Sequence, residues 1–234
     1  MNKYNLFTIF AIFWLIAFSR MVNCSENNTV NFNLGSYSID IPKKNSVEYG
    51  FPTWLSWLPG LDNSSDQIMF TVSAEEISRE LPGYHVGDGN YREDVRGLIS
   101  VLNSIEVEAY TSSTAYFDLW NSKGSYSSRR VERFGSNELY KVYREIEYPN
   151  SWALVSKNPE DGGQIPSTAS EFWLAHCLSG NSSETVSGQH VTCRSHVVFN
   201  DLLIEFNVSE QNISELDNLK QYLLEEIQKW IKES

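Results

Sequence analysis

Two cysteines in neighbouring strand-like runs restrict this chain more than any other feature. Residues 171–178 (EFWLAHCL) and 191–199 (VTCRSHVVF) are rich in aromatic and β-branched side chains, and residues 179–188 (SGNSSETVSG) between them are turn formers. The pattern reads as a hairpin with Cys177 and Cys193 paired across it. Asn200-Asp201 then turns the chain into 202–208 (LLIEFNV), a third strand beside the second. An isolated cysteine pair in an oxidising compartment favours a disulfide over a redox or metal centre. Closing a loop of about 15–17 residues contributes ~3 kcal/mol in the chain-entropy picture.

His176, His190, Cys193 and His196 stand close enough in sequence to raise a metal site as the alternative. His-x-x-Cys-x-x-His does not fit a strand, where residues three apart point to opposite faces. No acid or second cysteine completes a tetrahedral set nearby. The disulfide is the preferred reading.

An oxidising compartment requires export, and the N-terminus supplies a signal for it. Lys3 precedes residues 6–18 (LFTIFAIFWLIAF), an apolar run of signal-peptide length and shorter than the roughly 20 residues of a spanning helix. Val22 and Cys24 fill the small-residue positions for a cut before Ser25, which makes 1–24 a signal peptide and 25–234 the exported domain. Acylation of Cys24 and retention as an N-terminal anchor are the two alternatives, and all three export the rest. No later run reaches spanning length, so no integral membrane segment is expected after signal removal. The sequons at Asn27, Asn63, Asn181, Asn207 and Asn212 are near the number chance gives in a chain this rich in Asn, Ser and Thr.

The remaining elements imply α+β with a mainly antiparallel sheet and two principal helices. Residues 29–41 and 67–73 alternate as strands. Asn90 and Glu93 make a cap-like start, and Val95, Leu98, Ile99, Leu102 and Ile105 follow at helical spacing, predicting a helix to about Glu106. Residues 115–120, 126–134 and 138–148 read as consecutive strands. Asn212 with Glu215 predicts the cap of a closing helix whose stripe is Leu216, Leu219, Leu223, Ile227 and Trp230. The turn-rich 158–166 segment is a possible subdivision, although the strands on either side could equally share one sheet.

No nucleophile elbow, HExxH, Walker loop or dinucleotide fingerprint occurs, so no motif implies a cofactor, a metal or an enzyme. His85 with Asp88 is the nearest approach to a hydrolytic loop. Glu75, Glu76 and Glu80 lack calcium-loop spacing and read as solvated. Thirty acids against 18 bases give a net charge of −12, which argues against nucleic-acid binding and favours a basic protein partner. Candidate contacts are the Trp-rich stretch 51–61, through Trp54 and Trp57, and the carboxylates Glu145 and Glu147. The commoner roles of these residues are a loop folded onto the core and a solvated strand face.

The layout resembles bacterial periplasmic immunity proteins that neutralise type VI secretion effectors, lipase effectors among them. The resemblance rests on the signal at 1–24, on Tyr37-Ser38-Ile39-Asp40-Ile41-Pro42 opening the first sheet, and on the Cys177/Cys193 hairpin with the closing helix to Trp230. It is architectural, spread thinly over 25–234, and carries no binding residue across. It implies a stoichiometric inhibitor that occludes a toxin's active site in the periplasm. The alternative from the residues is a periplasmic ligand-binding or envelope-assembly factor with Trp54 and Trp57 lining its pocket. A secreted hydrolase built on His85 and Asp88 comes third.

Overall fold

The computed structural model describes residues 28–47, 67–88, 92–135, 138–144, 150–180 and 191–232. Its centre is the meander of β8 (Trp173–Ser179), β9 (Val191–Phe199) and β10 (Leu202–Ser209), all antiparallel. The β9–β10 turn is tight because Asn200 takes a positive φ of 56°, a conformation asparagine tolerates better than most residues. These strands belong to an eight-stranded sheet ordered β3-β4-β10-β9-β8-β7-β6-β5. Its other members are β3 (Gln67–Val72), β4 (Val95–Val101), β5 (Arg130–Phe134), β6 (Leu139–Tyr143) and β7 (Ser151–Val155). A small second sheet joins β1 (Thr29–Leu34), β2 (Tyr37–Pro42) and β11 (Ile231–Lys232).

Among the described residues four helices complete the fold: α1 (Ala74–Glu80), α2 (Ser104–Thr111), α3 (Phe117–Asn121) and α4 (Leu216–Trp230). The expected apolar stripe of α4 is buried throughout, at Leu216, Leu219, Leu223, Ile227 and Trp230. It packs on one face of the large sheet with Ile39 and Ile41 of β2, closing the main core over Phe70, Ile99, Ile204 and Phe206. The opposite face carries a second, smaller core in which Leu119 and Trp120 of α3 cover Val142, Ala153, Val155, Phe172 and Trp173. The architecture is therefore α+β with antiparallel sheets, a disulfide hairpin and a closing helix.

Three local expectations are corrected. Residues 95–101 form β4 rather than the first turns of a helix. Val95, Gly97 and Ile99 are buried in alternation, and the strand is paired on both sides, with β3 and with β10. Gly97 lies between Phe70 and Phe206 in register, where a longer side chain would collide with the Phe70 ring. The helix begins only at Ser104, under a true capping box of Asn103 and Glu106.

Residues 113–121 form a 3-10 turn (Ser113–Tyr116) and α3 instead of a strand. Likewise 124–126 is a 3-10 turn, and the strand expected from Tyr126 starts at Arg130. Asn212 does not cap α4. It sits inside the 3-10 turn Glu210–Glu215, fully buried, accepting a hydrogen bond from the His85 backbone N–H (2.7 Å) and donating to the His85 carbonyl (3.1 Å). On either side of the 158–166 segment, β7 and β8 pair directly.

Candidate functional site

Cys177 and Cys193 are bonded and directly opposed in the β8–β9 register, with Cα atoms 3.9 Å apart. The same register sets His176 against Arg194 and Leu178 against Thr192. Cross-strand partners share a face, as do residues two apart on a strand. His176, Leu178 and Arg194 therefore project on the side of the second core. Ser151 and Ala153 of β7 face Leu178 and His176 from the next strand, and the Ser151 hydroxyl lies 3.0 Å from His176 Nε2. Arg144, just beyond β6, reaches the same side, where its Nε donates to the Tyr126 hydroxyl at 3.3 Å and its guanidinium lies over that ring.

This end of the face is not covered by α3. Leu178 is 55% exposed, and Arg144 and Arg194 are exposed. Neither arginine has a carboxylate within ion-pair distance among the described residues. His176 is held below the ordinary imidazole range by burial first, then by the charges of Arg144 and Arg194. The exposed large hydrophobics among the described residues are Leu178, Ile105 of α2 and Phe117 of α3. α2 and α3 both pack on this face, through Tyr110 against His196 and through Leu119 and Trp120. All three apolar side chains thus belong to one side of the sheet.

The charge of the described chain is unevenly placed. α1, with Glu75, Glu76 and Glu80, follows the edge strand β3, and Glu76, Glu80 and Glu226 of α4 all act on the half-enclosed Tyr222 hydroxyl, raising its pKa after burial. At the opposite edge, residues 123–157 hold seven bases (Lys123, Arg129, Arg130, Arg133, Lys141, Arg144, Lys157) against four acids. Several of these cations lie on aromatic rings: Arg130 on Tyr143 at 4.3 Å, and Lys141 on Trp152 and Phe134 at 4.4 and 4.5 Å.

A second feature is a groove of about 440 Å³ lined by Trp120, Glu138, Tyr140, Lys157, Asn158 and Asp161, among others. Its 158–166 wall is anchored from within. The Arg129 guanidinium donates to the carbonyls of Trp120 (2.6 Å) and Pro159 (3.1 Å), and Trp120 Nε1 donates to the Gly163 carbonyl at 3.0 Å.

Of the residues singled out from sequence, the structure brings together Cys177 and Cys193. Trp54, Trp57, Glu145, Glu147 and His190 lie outside the described residues. His85 Nε2 and Asp88 Oδ1 are 4.0 Å apart, and Asp88 is 91% exposed at its side chain. Glu76 pairs with Lys44 at 2.7 Å and Glu75 contacts Arg92. His196 stacks on Trp173 with ring centroids 4.6 Å apart, on the side of the sheet away from Cys193. Among the described residues no three His, Cys, Asp or Glu side chains stand in metal-holding geometry, and no helix is long and apolar enough to cross a membrane. Sequence reading missed Arg144, Leu178 and Arg194, because only strand register makes them neighbours.

No family model matches the chain, and no curated protein matches it. Two solved structures do. One is Smlt3025, an immunity protein of the Stenotrophomonas maltophilia type IV secretion system, with a TM-score of 0.48 and 11% identity over 88% of this chain and 94% of that one. The other is the Neisseria meningitidis iron-regulated outer membrane lipoprotein FrpD, with a TM-score of 0.40 and 12% identity over 87% of this chain and 92% of that one. The likeness to both is one of outline, and no residue or role passes from either to this chain.

Proposed function

We propose that the protein is a periplasmic immunity protein, one that binds an antibacterial effector and occludes its active site without turning over a substrate. The observation that carries this reading is the exposed end of the large sheet. An apolar anchor, Leu178, is rimmed by Arg144 and Arg194 and held on a strand that the Cys177–Cys193 bond ties to its neighbour. Arginine is enriched at protein-binding centres, and an exposed apolar side chain beside it adds area that a partner can bury. The cross-strand disulfide suits an exported protein, and the signal at 1–24 and the resemblance to effector-neutralising proteins of type VI systems point the same way. Under this reading Trp54, Trp57, Glu145 and Glu147 are further candidate contacts, the two carboxylates for basic groups of the effector.

The test is affinity capture with tagged residues 25–234 from the native envelope fraction, read by mass spectrometry. One dominant stoichiometric partner, whose toxicity falls when this protein is co-expressed, is the expected result. A bait that captures no protein overturns the reading. Charge reversal at Glu145 and Glu147 with unchanged affinity for the captured effector removes those two as contacts.

The groove over Trp120 and Tyr140 favours a second reading, a periplasmic ligand-binding or envelope-assembly factor. A small molecule that co-purifies with the protein and is lost in Tyr140→Ala is its expected signature.

A further inference from the structure

We propose that the open end of the sheet, between β6 and β9, receives an acidic, extended segment of the protein partner, with one carboxylate on Arg144, another on Arg194, and an apolar side chain on Leu178 between them. This deepens the binding reading above by giving the chemistry of the partner's contact. It also reverses the expectation drawn from net charge, which favours a basic partner.

The argument begins with charge. In a chain with 30 acids and 18 bases, two exposed guanidinia on one sheet face lack a carboxylate within ion-pair reach among the described residues. Their near neighbours on the face are the neutral groups Ser151, His176 and Thr192, with Asn207 opposite Arg194 on β10. Glu205, two residues back along β10, stands opposite His196 and acts on the Tyr110 hydroxyl from there. Burial, with both arginine charges, disfavours the charged form of the intervening imidazole. Arg194 acts on the Tyr110 hydroxyl with the opposite sign to Glu205, yet among the described residues no carboxylate stands within ion-pair distance of either arginine. Such a surface attracts carboxylates and binds them with charge-assisted, two-pronged hydrogen bonds.

Geometry fixes the spacing of those carboxylates. Arg144 follows β6, level with Ser151, Leu178 and Thr192, whereas Arg194 lies on β9 two residues beyond Thr192. Three strand intervals across the sheet, about 14 Å, and about 7 Å along it put the two backbones about 16 Å apart. An extended segment rises about 3.3 Å per residue, so about four to five residues cover that interval and the long arginine side chains take up the difference. Acids about four apart, with an apolar residue between, match the row Arg144–Leu178–Arg194. The disulfide makes the row rigid, since Cys177 and Cys193 are sequence neighbours of Leu178 and Arg194 respectively.

The probe is a synthetic peptide of about twelve residues with glutamates four apart and leucine between them, compared with the same peptide carrying lysines. Binding to the oxidised protein is followed by backbone amide shifts and by calorimetry. The acidic peptide is expected to move the amides of Arg144, Ser151, His176, Leu178 and Arg194. Arg144→Glu with Arg194→Glu is expected to weaken it by at least about tenfold, whereas Arg144→Lys with Arg194→Lys retains most of the affinity. Thermal unfolding checks that both pairs keep the wild-type fold. Equal binding of the lysine peptide, no binding of the acidic one, or unchanged affinity in the charge-reversed pair overturns the proposal. The assay needs no effector, so its failure is distinct from failure of the capture experiment.

Discussion

His176 faces Arg194 across β8 and β9, one residue along from the Cys177–Cys193 bond that fixes their register. A slip of β9 by one residue in this pairing would carry Arg194 to the face that packs the main core, away from Leu178. The disulfide therefore has two effects. It restricts the unfolded chain, and it holds the candidate contact row in one arrangement.

The first effect is measurable by substitution. Cys177→Ser with Cys193→Ser is expected to lower the unfolding free energy by ~3 kcal/mol, the chain-entropy value for a loop of this size. Urea unfolding of the double variant against the oxidised parent checks it. A loss below about 1 kcal/mol would show that the unfolded chain is not appreciably freer without the bond.

Gly97 tests the reassignment of residues 95–101 from helix to strand. It is paired with Phe70 on β3 and with Phe206 on β10, and a Cβ there would press on the Phe70 ring and the Glu205 carbonyl. Gly97→Ala is expected to destabilise the protein by about 1–3 kcal/mol, the usual cost of overfilling a packed core. In an exposed helix the same change would stabilise by close to 1 kcal/mol, so the sign of the shift in the urea midpoint decides between the two structures.

Why that stretch misleads is physical. Val95 and Ile99 are four apart, which satisfies helical and alternating patterns alike, and Leu98, Leu102 and Ile105 completed a helical face. The pairing of β4 on both sides decides the matter, and pairing is not written locally. By contrast β9, β10 and the stripe of α4 were legible, because turn formers, alternation and a five-residue apolar stripe agree in each. β7 shows a third case. Its buried run Trp152, Ala153, Leu154 and Val155 has no period to distinguish strand from helix, since both faces of the sheet are covered there. The candidate site was legible only in its cysteines. Arg144, Ser151, His176 and Arg194 come from four segments, and their adjacency is a property of the sheet order.

Asn212 illustrates a buried polar group that sequence assigns to the wrong task. Its amide satisfies both backbone groups of His85 and lies 3.5 Å from the Ser209 hydroxyl, so it ties the loop after α1 to the entry of α4. Asn212→Ala leaves the His85 N–H and C=O without these partners and is expected to cost about 1–3 kcal/mol. Thermal unfolding measures it, and faster hydrogen exchange at the His85 amide is the local signature. If Asn212 were only an exposed helix cap, that amide would exchange at the parent rate.

The last prediction concerns pH. His196 is stacked on Trp173, edge-on to Tyr110, and shares its surroundings with Lys220, whose ammonium lies 6.0 Å from the Trp173 ring. Burial comes first and the Lys220 charge second in pushing the imidazole down to about 4, while a hydrogen bond with the Tyr110 backbone pulls slightly the other way. In the unfolded chain the same group titrates near the ordinary imidazole value of 6.5. As pH falls through 6.5 the unfolded state takes up a proton that the folded state refuses until about 4, so stability declines across that window and this contribution levels off below it. His176 is shifted in the same direction by its own burial and arginines, and adds a decline of the same sign. Carboxylates add their own acid dependence, so the parent curve alone does not isolate the imidazole. The difference between the parent and His196→Phe does: the aromatic replacement keeps the stack on Trp173 and removes the titrating group. Unfolding free energies of the two are expected to diverge as pH drops from 6.5 to 4, the variant losing less, and to run parallel above 7. Parallel curves across the acid window would mean that His196 takes up its proton in the folded protein over the same pH range as in the unfolded chain, despite its burial beside Lys220.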